Sequence, residues 1–173
     1  MARDESDVAA KLMVAAREGD TDFLINTLTD PRYRGVAARI LGRAGCEEAI
    51  PKIQPLLRAH DFKARLGAVR ALSALKSLDS FEQIVDLARS DPHHNVRLWS
   101  IAAIGEIAGS GAADILVPLL GDADWDVRRA AAYALGQLAE RATIEPIQRA
   151  ARAEPFHRRG VYRRALKAIR ASS

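Results

Sequence analysis

Four histidines, one cysteine and a recurring arginine are the residues of this chain with the most chemistry to offer. The histidines are His60, His93, His94 and His157. His93 and His94 are adjacent and follow Asp91-Pro92, and neighbouring side chains rarely converge on one metal ion. Cys46 is alone, so it forms neither an internal disulfide nor a metal motif, and its expected place is a buried or half-buried turn between helices. The chain carries no Gly-x-Ser-x-Gly, no Cys-x-x-Cys and no phosphate-cradling glycine loop. From the residues the expectation is therefore no catalysis, no metal and no cofactor. What remains is cationic. Arg34, Arg65, Arg97, Arg128 and Arg159 recur at gaps of 31, 32, 31 and 31 residues. Arg158, Arg159, Arg163, Arg164, Lys167 and Arg170 crowd the C-terminal end. Basic stripes of this kind bind nucleic acid, acidic proteins or anionic surfaces, or form the polar outer face of a cap.

The elements that position these residues follow from the same beat. Each arginine is followed, seven and eight positions on, by a bulky aliphatic and then, in four repeats, a small residue: Leu41-Gly42, Leu72-Ser73, Ile104-Gly105, Leu135-Gly136 and, last, Leu166-Lys167. A period near 31 residues marks a repeat array. Within one repeat, Tyr33, Ala37, Ile40, Leu41 and Ala44 share a helical face, which makes helix A span about 31–44. Helix B follows a turn, with Ile50, Ile53, Leu56 and Leu57 in one repeat and Ile84, Val85 and Leu87 in the next. Pro55 and Pro118 lie deep enough in helix B to bend it. Aspartates at the joins (Asp30, Asp61, Asp91, Asp122, Asp124) read as N-caps, with Pro31 and Pro92 at helix starts. The fold class is all-α, in a single domain over 1–173. Its repeats span about 4–29, 30–60, 61–91, 92–122 and 123–154, with a cap over 155–173. The first pair, Asp7 to Arg17 and Asp20 to Leu28, lacks the arginine and reads as an N-terminal cap.

Composition narrows the classes further. Aromatics are 5% of 173 residues, which favours close-packed helices over a sheet. The net charge of +4 is unevenly spread. Residues 1–140 hold 17 basic and 20 acidic groups, while 141–173 hold 9 and 2. No apolar run approaches the roughly 20 residues that span a bilayer. Nothing at the start resembles a secretion signal, and one unpaired cysteine suits a reducing cytoplasm.

The stretch from Asp122 to Ala139 reads Asp-Ala-Asp-Trp-Asp-Val-Arg-Arg-Ala-Ala-Ala-Tyr-Ala-Leu-Gly-Gln-Leu-Ala. It resembles the short HEAT-like repeats of the phycobilisome-lyase type, and the likeness extends over about 30–170. The resemblance implies a right-handed α-solenoid of about five helix pairs plus a C-terminal capping helix, with A helices convex and B helices concave. It carries little about function, since such repeats occur in scaffolds, lyases, hydroxylases and adaptors. The His-Glu pairs of the HEAT-like iron hydroxylases are missing from this sequence.

On that architecture the arginine column is expected to be a structural ladder, paired with aspartates of its own or the adjacent repeat. The concave face is expected to present Glu48, Lys52, Glu82, Asp86, Arg89, Asp114, Arg149 and Arg152. Arg159, Arg163, Arg164, Lys167 and Arg170 form a basic end, and Trp99 and Trp125 are candidate aromatic anchors. The function these residues point to is a non-enzymatic scaffold or adaptor holding a protein or peptide partner on the concave B-helix face. The alternatives are nucleic-acid binding through the basic end, and a lyase or chaperone role for a pigment-bearing protein. No membrane partner is expected, and the oligomeric state stays open.

Overall fold

The A helices that follow Asp61, His93 and Asp124 begin where that side chain accepts a backbone N–H. Each of these three ends where one residue turns left-handed. The computed structural model describes residues 2–172, without the side chains of residues 2–7, 9 and 110. Among the described residues there is no strand, and the chain is all-α. Its contacts gather into two compact units, Met1–Ser80 and Phe81–Ser173.

The first unit holds α1 (Ala2–Glu18), α2 (Thr21–Thr27), α3 (Arg34–Arg43), α4 (Ile50–Ile53) and α5 (Phe62–Ala74). The expected first pair is present as α1 and α2, with α1 starting earlier than the apolar pattern suggested; the side chain of Asp7 lies outside the described residues. Asp20 accepts the Phe23 N–H, and Asp61 accepts those of Lys63 and Ala64, so both are N-caps. Pro31 lies outside α3, because Asp30 folds its carboxylate onto the Arg32 N–H and delays the helix start. The B segment after α3 is barely α-helical. It runs as a 3-10 turn Glu47–Ala49, then α4, then a 3-10 stretch Gln54–Arg58. Pro55 explains the last change: it has no N–H to give to the turn before it. Ile53, Leu56 and Leu57 nevertheless stay buried.

The second unit holds α6 (Phe81–Ser90), α7 (His94–Ala108), α8 (Ala113–Leu116), α9 (Trp125–Leu138), α10 (Ile144–Ala153) and α11 (Gly160–Ala171). His93, not Asp91, caps α7: its ring Nδ1 accepts the Asn95 N–H, while Asp91 accepts the N–H of His93. Pro92 consequently precedes the helix. Pro118 ends α8 early and hands the chain to a 3-10 turn, as Pro55 does in the first unit.

The A helices touch through small residues. A Cβ on Gly42 would fall 2.4 Å from the Ala71 Cα, and one on Gly136 would fall 2.8 Å from the Ala165 Cα. Each pair joins one repeat to the next at the same spacing, so the Gly column of one helix A seats the Ala column of its neighbour. The turn out of helix A also repeats. Gly45, Lys76, Gly109 and Ala139 all have positive φ, of 72°, 50°, 54° and 57°. Two of these four positions carry a side chain in a conformation that glycine takes more readily.

Candidate functional site

The arginine column is spent largely on backbone. Arg65 Nη1 donates to the Ala59 and His60 carbonyls, both at 2.8 Å. Arg97 Nη1 donates to Asp91 O at 2.9 Å. Arg128 Nη1 reaches Asp122 O and Ala123 O at 2.7 and 3.0 Å, and Arg159 Nε reaches Glu154 O at 2.8 Å. These carbonyls lie at the C-terminal ends of the preceding B segments. There a helix leaves oxygens unpaired and favours a cation. The buried Nε of Arg34, like that of Arg97, has no hydrogen-bond partner.

Arg97 and Arg128 also reach a carboxylate of the following repeat. Arg97 Nη2 meets Asp124 Oδ2 at 3.1 Å. Arg128 Nε meets Glu154 Oε1. The latter carboxylate is a glutamate at the end of α10, a position the aspartate pattern does not mark. Glu154 is buried, and the Tyr162 hydroxyl lies 3.5 Å from the same oxygen. Burial, and then the charge of Glu154, hold the Tyr162 phenol above its ordinary range. The hydrogen bond to Glu154 raises Arg128 in turn. Trp125 closes this cluster, with the guanidiniums of Arg128 and Arg158 at 5.6 and 5.1 Å from its ring centroid. Its ring is thus engaged inside the fold, whereas Trp99 is 42% exposed on α7.

The eight B-segment candidates, Glu48, Lys52, Glu82, Asp86, Arg89, Asp114, Arg149 and Arg152, are all exposed. Arg149 pairs with Glu145 one turn away. Two of the eight belong to the first unit and six to the second. In the basic end, Arg159 is half-buried on its carbonyls, while Arg163, Arg164, Lys167 and Arg170 are exposed. Arg163 lies over the exposed ring of Phe156, 5.5 Å from its centroid.

A feature with no counterpart in these expectations lies between α7 and α9. Gly105 and Ala134 correspond to the pairs that touch elsewhere, yet a Cβ on Gly105 would meet nothing within 4 Å. The two helices stand apart and leave a cleft of about 330 Å³. Leu98, Ile101, Ala102, Ala130 and Leu138 line it with apolar surface, and Glu106 and Gln137 stand at its polar edge. Tyr133 also lines the cleft and is 62% exposed. A signal for this face was present in the sequence. The outward A-helix column reads Arg39, Arg70, Ala102, Tyr133, Arg164. It changes from cationic to apolar and back at the repeat period.

Among the described residues no three His, Cys, Asp or Glu side chains gather as a metal site. No helix there is long and apolar enough to cross a membrane.

Comparison with known proteins places this geometry. The model of HEAT repeats matches residues 21–104 and 81–167. No curated protein sequence matches the chain. Among solved structures, the complex of CpcE and CpcF of phycocyanin lyase from Nostoc sp. PCC7120 is 21% identical with a TM-score of 0.68, over 87% of this chain and 98% of that one. An engineered protein is 22% identical with a TM-score of 0.65, over 95% and 85% of the two chains. A designed armadillo repeat protein in complex with the peptide (KR)4 is 18% identical with a TM-score of 0.62, over 92% and 86%. At these identities the likeness is one of fold.

Proposed function

Because this chain belongs to the HEAT-repeat family, we propose that it is a non-enzymatic scaffold that holds a protein or peptide partner. The observation that carries the reading is the cleft between α7 and α9. Apolar surface left open beside an exposed tyrosine is the composition of an interface core. The partner would insert an apolar side chain there. The exposed charges on the B segments, foremost Glu82, Asp86 and Arg89 on α6, would supply a second, polar contact set that selects the partner and speeds encounter. The designed armadillo neighbour, in complex with the peptide (KR)4, supports the reading that this kind of fold accommodates a peptide.

The test is capture of the partner from native expression, identification by mass spectrometry, and titration of the purified pair against variants. Gly105→Leu fills the cleft where no atom opposes it. It should weaken binding by about tenfold or more, near 1.4 kcal/mol. Reversing Glu82, Asp86 and Arg89 should mainly slow association. Full affinity and unchanged association rate in both variants would refute the reading.

One observation favours nucleic acid as a second reading: α11 carries four exposed cations and no acidic residue. Replacing Arg163, Arg164, Lys167 and Arg170 by glutamate would then abolish a strongly salt-dependent affinity for an oligonucleotide. Unchanged affinity would remove it.

A further inference from the structure

The α7–α9 cleft has a cationic neighbour on one side. α9 and α11 pack closely where Gly136 seats Ala165. Residues one repeat period apart on these two helices are therefore neighbours, and the residue one period after Tyr133 is Arg164. Both are exposed. The Arg164 guanidinium lies back along its own helix, its Nη1 3.8 Å from where a Cβ on Gly160 would stand. Lys167 follows one turn later and is exposed as well. Arg163 and Arg170 lie roughly 100–120° from Arg164 round the helix, on the flank away from α9. Arg163 is already seated over the Phe156 ring.

The cations of α7 and α9 are engaged elsewhere. Arg97 meets Asp124, Arg128 meets Glu154, and Arg129 meets Asp126 at 3.1 Å. α11 itself has no acidic residue, and neither Arg164 nor Lys167 has an acidic partner among the described residues. An apolar cleft, an exposed tyrosine and an unopposed cationic face thus follow one another across α7, α9 and α11.

We propose that the segment held in the α7–α9 cleft is acidic: its apolar side chains enter the cleft, its backbone crosses α9 over Tyr133, and its carboxylates meet Arg164 and Lys167. This rests on the cleft being the docking site and names the chemistry of its partner. Packed helices stand roughly 8–10 Å apart, which puts the Arg164 face about 13 Å from the middle of the cleft. Extended chain covers about 3.3 Å per residue, so the carboxylates fall about four residues from the apolar anchor. The guanidinium fork of Arg164 takes two oxygens of one carboxylate, and Lys167 adds a point charge. The cations alone would suit a nucleic acid equally, but the cleft would not. Leu98, Ile101 and Leu138 offer the hydrogen-bonding edges of a base no partner, and burying those edges unpaired is unfavourable. An aliphatic side chain has no such edge and gains from the burial.

The experiment is fluorescence anisotropy on the full chain at low salt. The labelled peptide has a Leu-Ser-Leu centre flanked on each side by a three-serine spacer and three glutamates, so that chain direction is immaterial. Parallel arms replace the glutamates by glutamine, replace the leucines by alanine, or use an oligothymidylate of equal charge. The glutamate peptide should bind saturably, and the glutamine and alanine peptides at least about fivefold more weakly. Arg164→Gln with Lys167→Gln should weaken the glutamate peptide about five- to tenfold and leave the glutamine peptide unchanged. Arg163→Gln with Arg170→Gln should change either by less than about twofold. Circular dichroism checks that each variant is folded, and the peptide arms on the unaltered protein decide if one is not. The proposal is overturned by no saturable binding of the glutamate peptide, by equal binding of the glutamine peptide, by full affinity in the Arg164–Lys167 pair, or by an equal loss in the Arg163–Arg170 pair. Oligothymidylate bound as tightly through Arg164 and Lys167 would overturn it too. Gly105→Leu separates the two levels. If it leaves the glutamate peptide bound as before, the cleft reading falls and this assignment with it. If it weakens that peptide while the Arg164–Lys167 pair does not, only this assignment falls.

Discussion

Removing the Glu154 carboxylate tests the most consequential joint of the second unit. Glu154 is 5% exposed and receives Arg128 from the preceding repeat, whose side chain is itself 17% exposed. Breaking a buried pair from one side costs about 3–5 kcal/mol, because the abandoned charge stays buried. Arg128 keeps its bonds to the Asp122 and Ala123 carbonyls and some solvent, which lowers the expectation for Glu154→Gln to about 2–3 kcal/mol. For a chain of this size that is a melting decrease of about 4–12 °C. Both tryptophans, Trp99 and Trp125, lie in the second unit, and Trp125 belongs to the cluster itself. Urea unfolding followed by tryptophan fluorescence therefore reports on the right part of the molecule. A double-mutant cycle sharpens the argument. Arg128→Met strands the glutamate, whereas Arg128→Met with Glu154→Leu strands nothing. The double variant should be less destabilised than the sum of the singles by about 2 kcal/mol. Additive singles, or a Glu154→Gln loss under about 0.5 kcal/mol, would refute the reasoning. The carbonyl contacts alone would then hold the joint.

Two further substitutions probe the backbone contacts. Gly67→Ala must push α3 and α5 apart and should cost about 1–3 kcal/mol, while Gly105→Ala meets open space and should gain up to about 1 kcal/mol of helix propensity; equal effects in thermal melts would contradict the packing described. Ala139→Gly relieves an L-residue held at φ 57° and should stabilise by about 0.5–1 kcal/mol, with a lowered melting temperature the contrary result.

Much of the fold was legible because its causes are local and repeated. The Leu41 column, the caps at Asp61 and Asp124 and the proline breaks at Pro55 and Pro118 depend on residues within a turn or two of each other. Where the pattern misled, local chemistry offered two solutions. Asp30 and Asp91 can cap a helix or fold onto the residue two positions on, and Pro31 and Pro92 left the helix once the second was taken. The left-handed turn was readable at Gly45 and Gly109 and silent at Lys76 and Ala139. At Lys76 the turn is closed as it is at Gly45, the Ser77 N–H donating to the Leu72 carbonyl as the Cys46 N–H does to that of Leu41.

The sequence by itself determined the repeat period, the apolar faces and the places where helices stop, since these follow from side-chain type at fixed spacing. Tertiary structure decided what the period was used for. It aimed the arginine column at carbonyl oxygens, and drew Glu154 into the place of an aspartate. It also closed Gly42 onto Ala71 and Gly136 onto Ala165 while leaving Gly105 open. Helix separation is a sum over every side chain in the interface. One column can therefore be a tight contact in one repeat and an open cleft in another, with nothing in a single repeat's sequence to tell them apart.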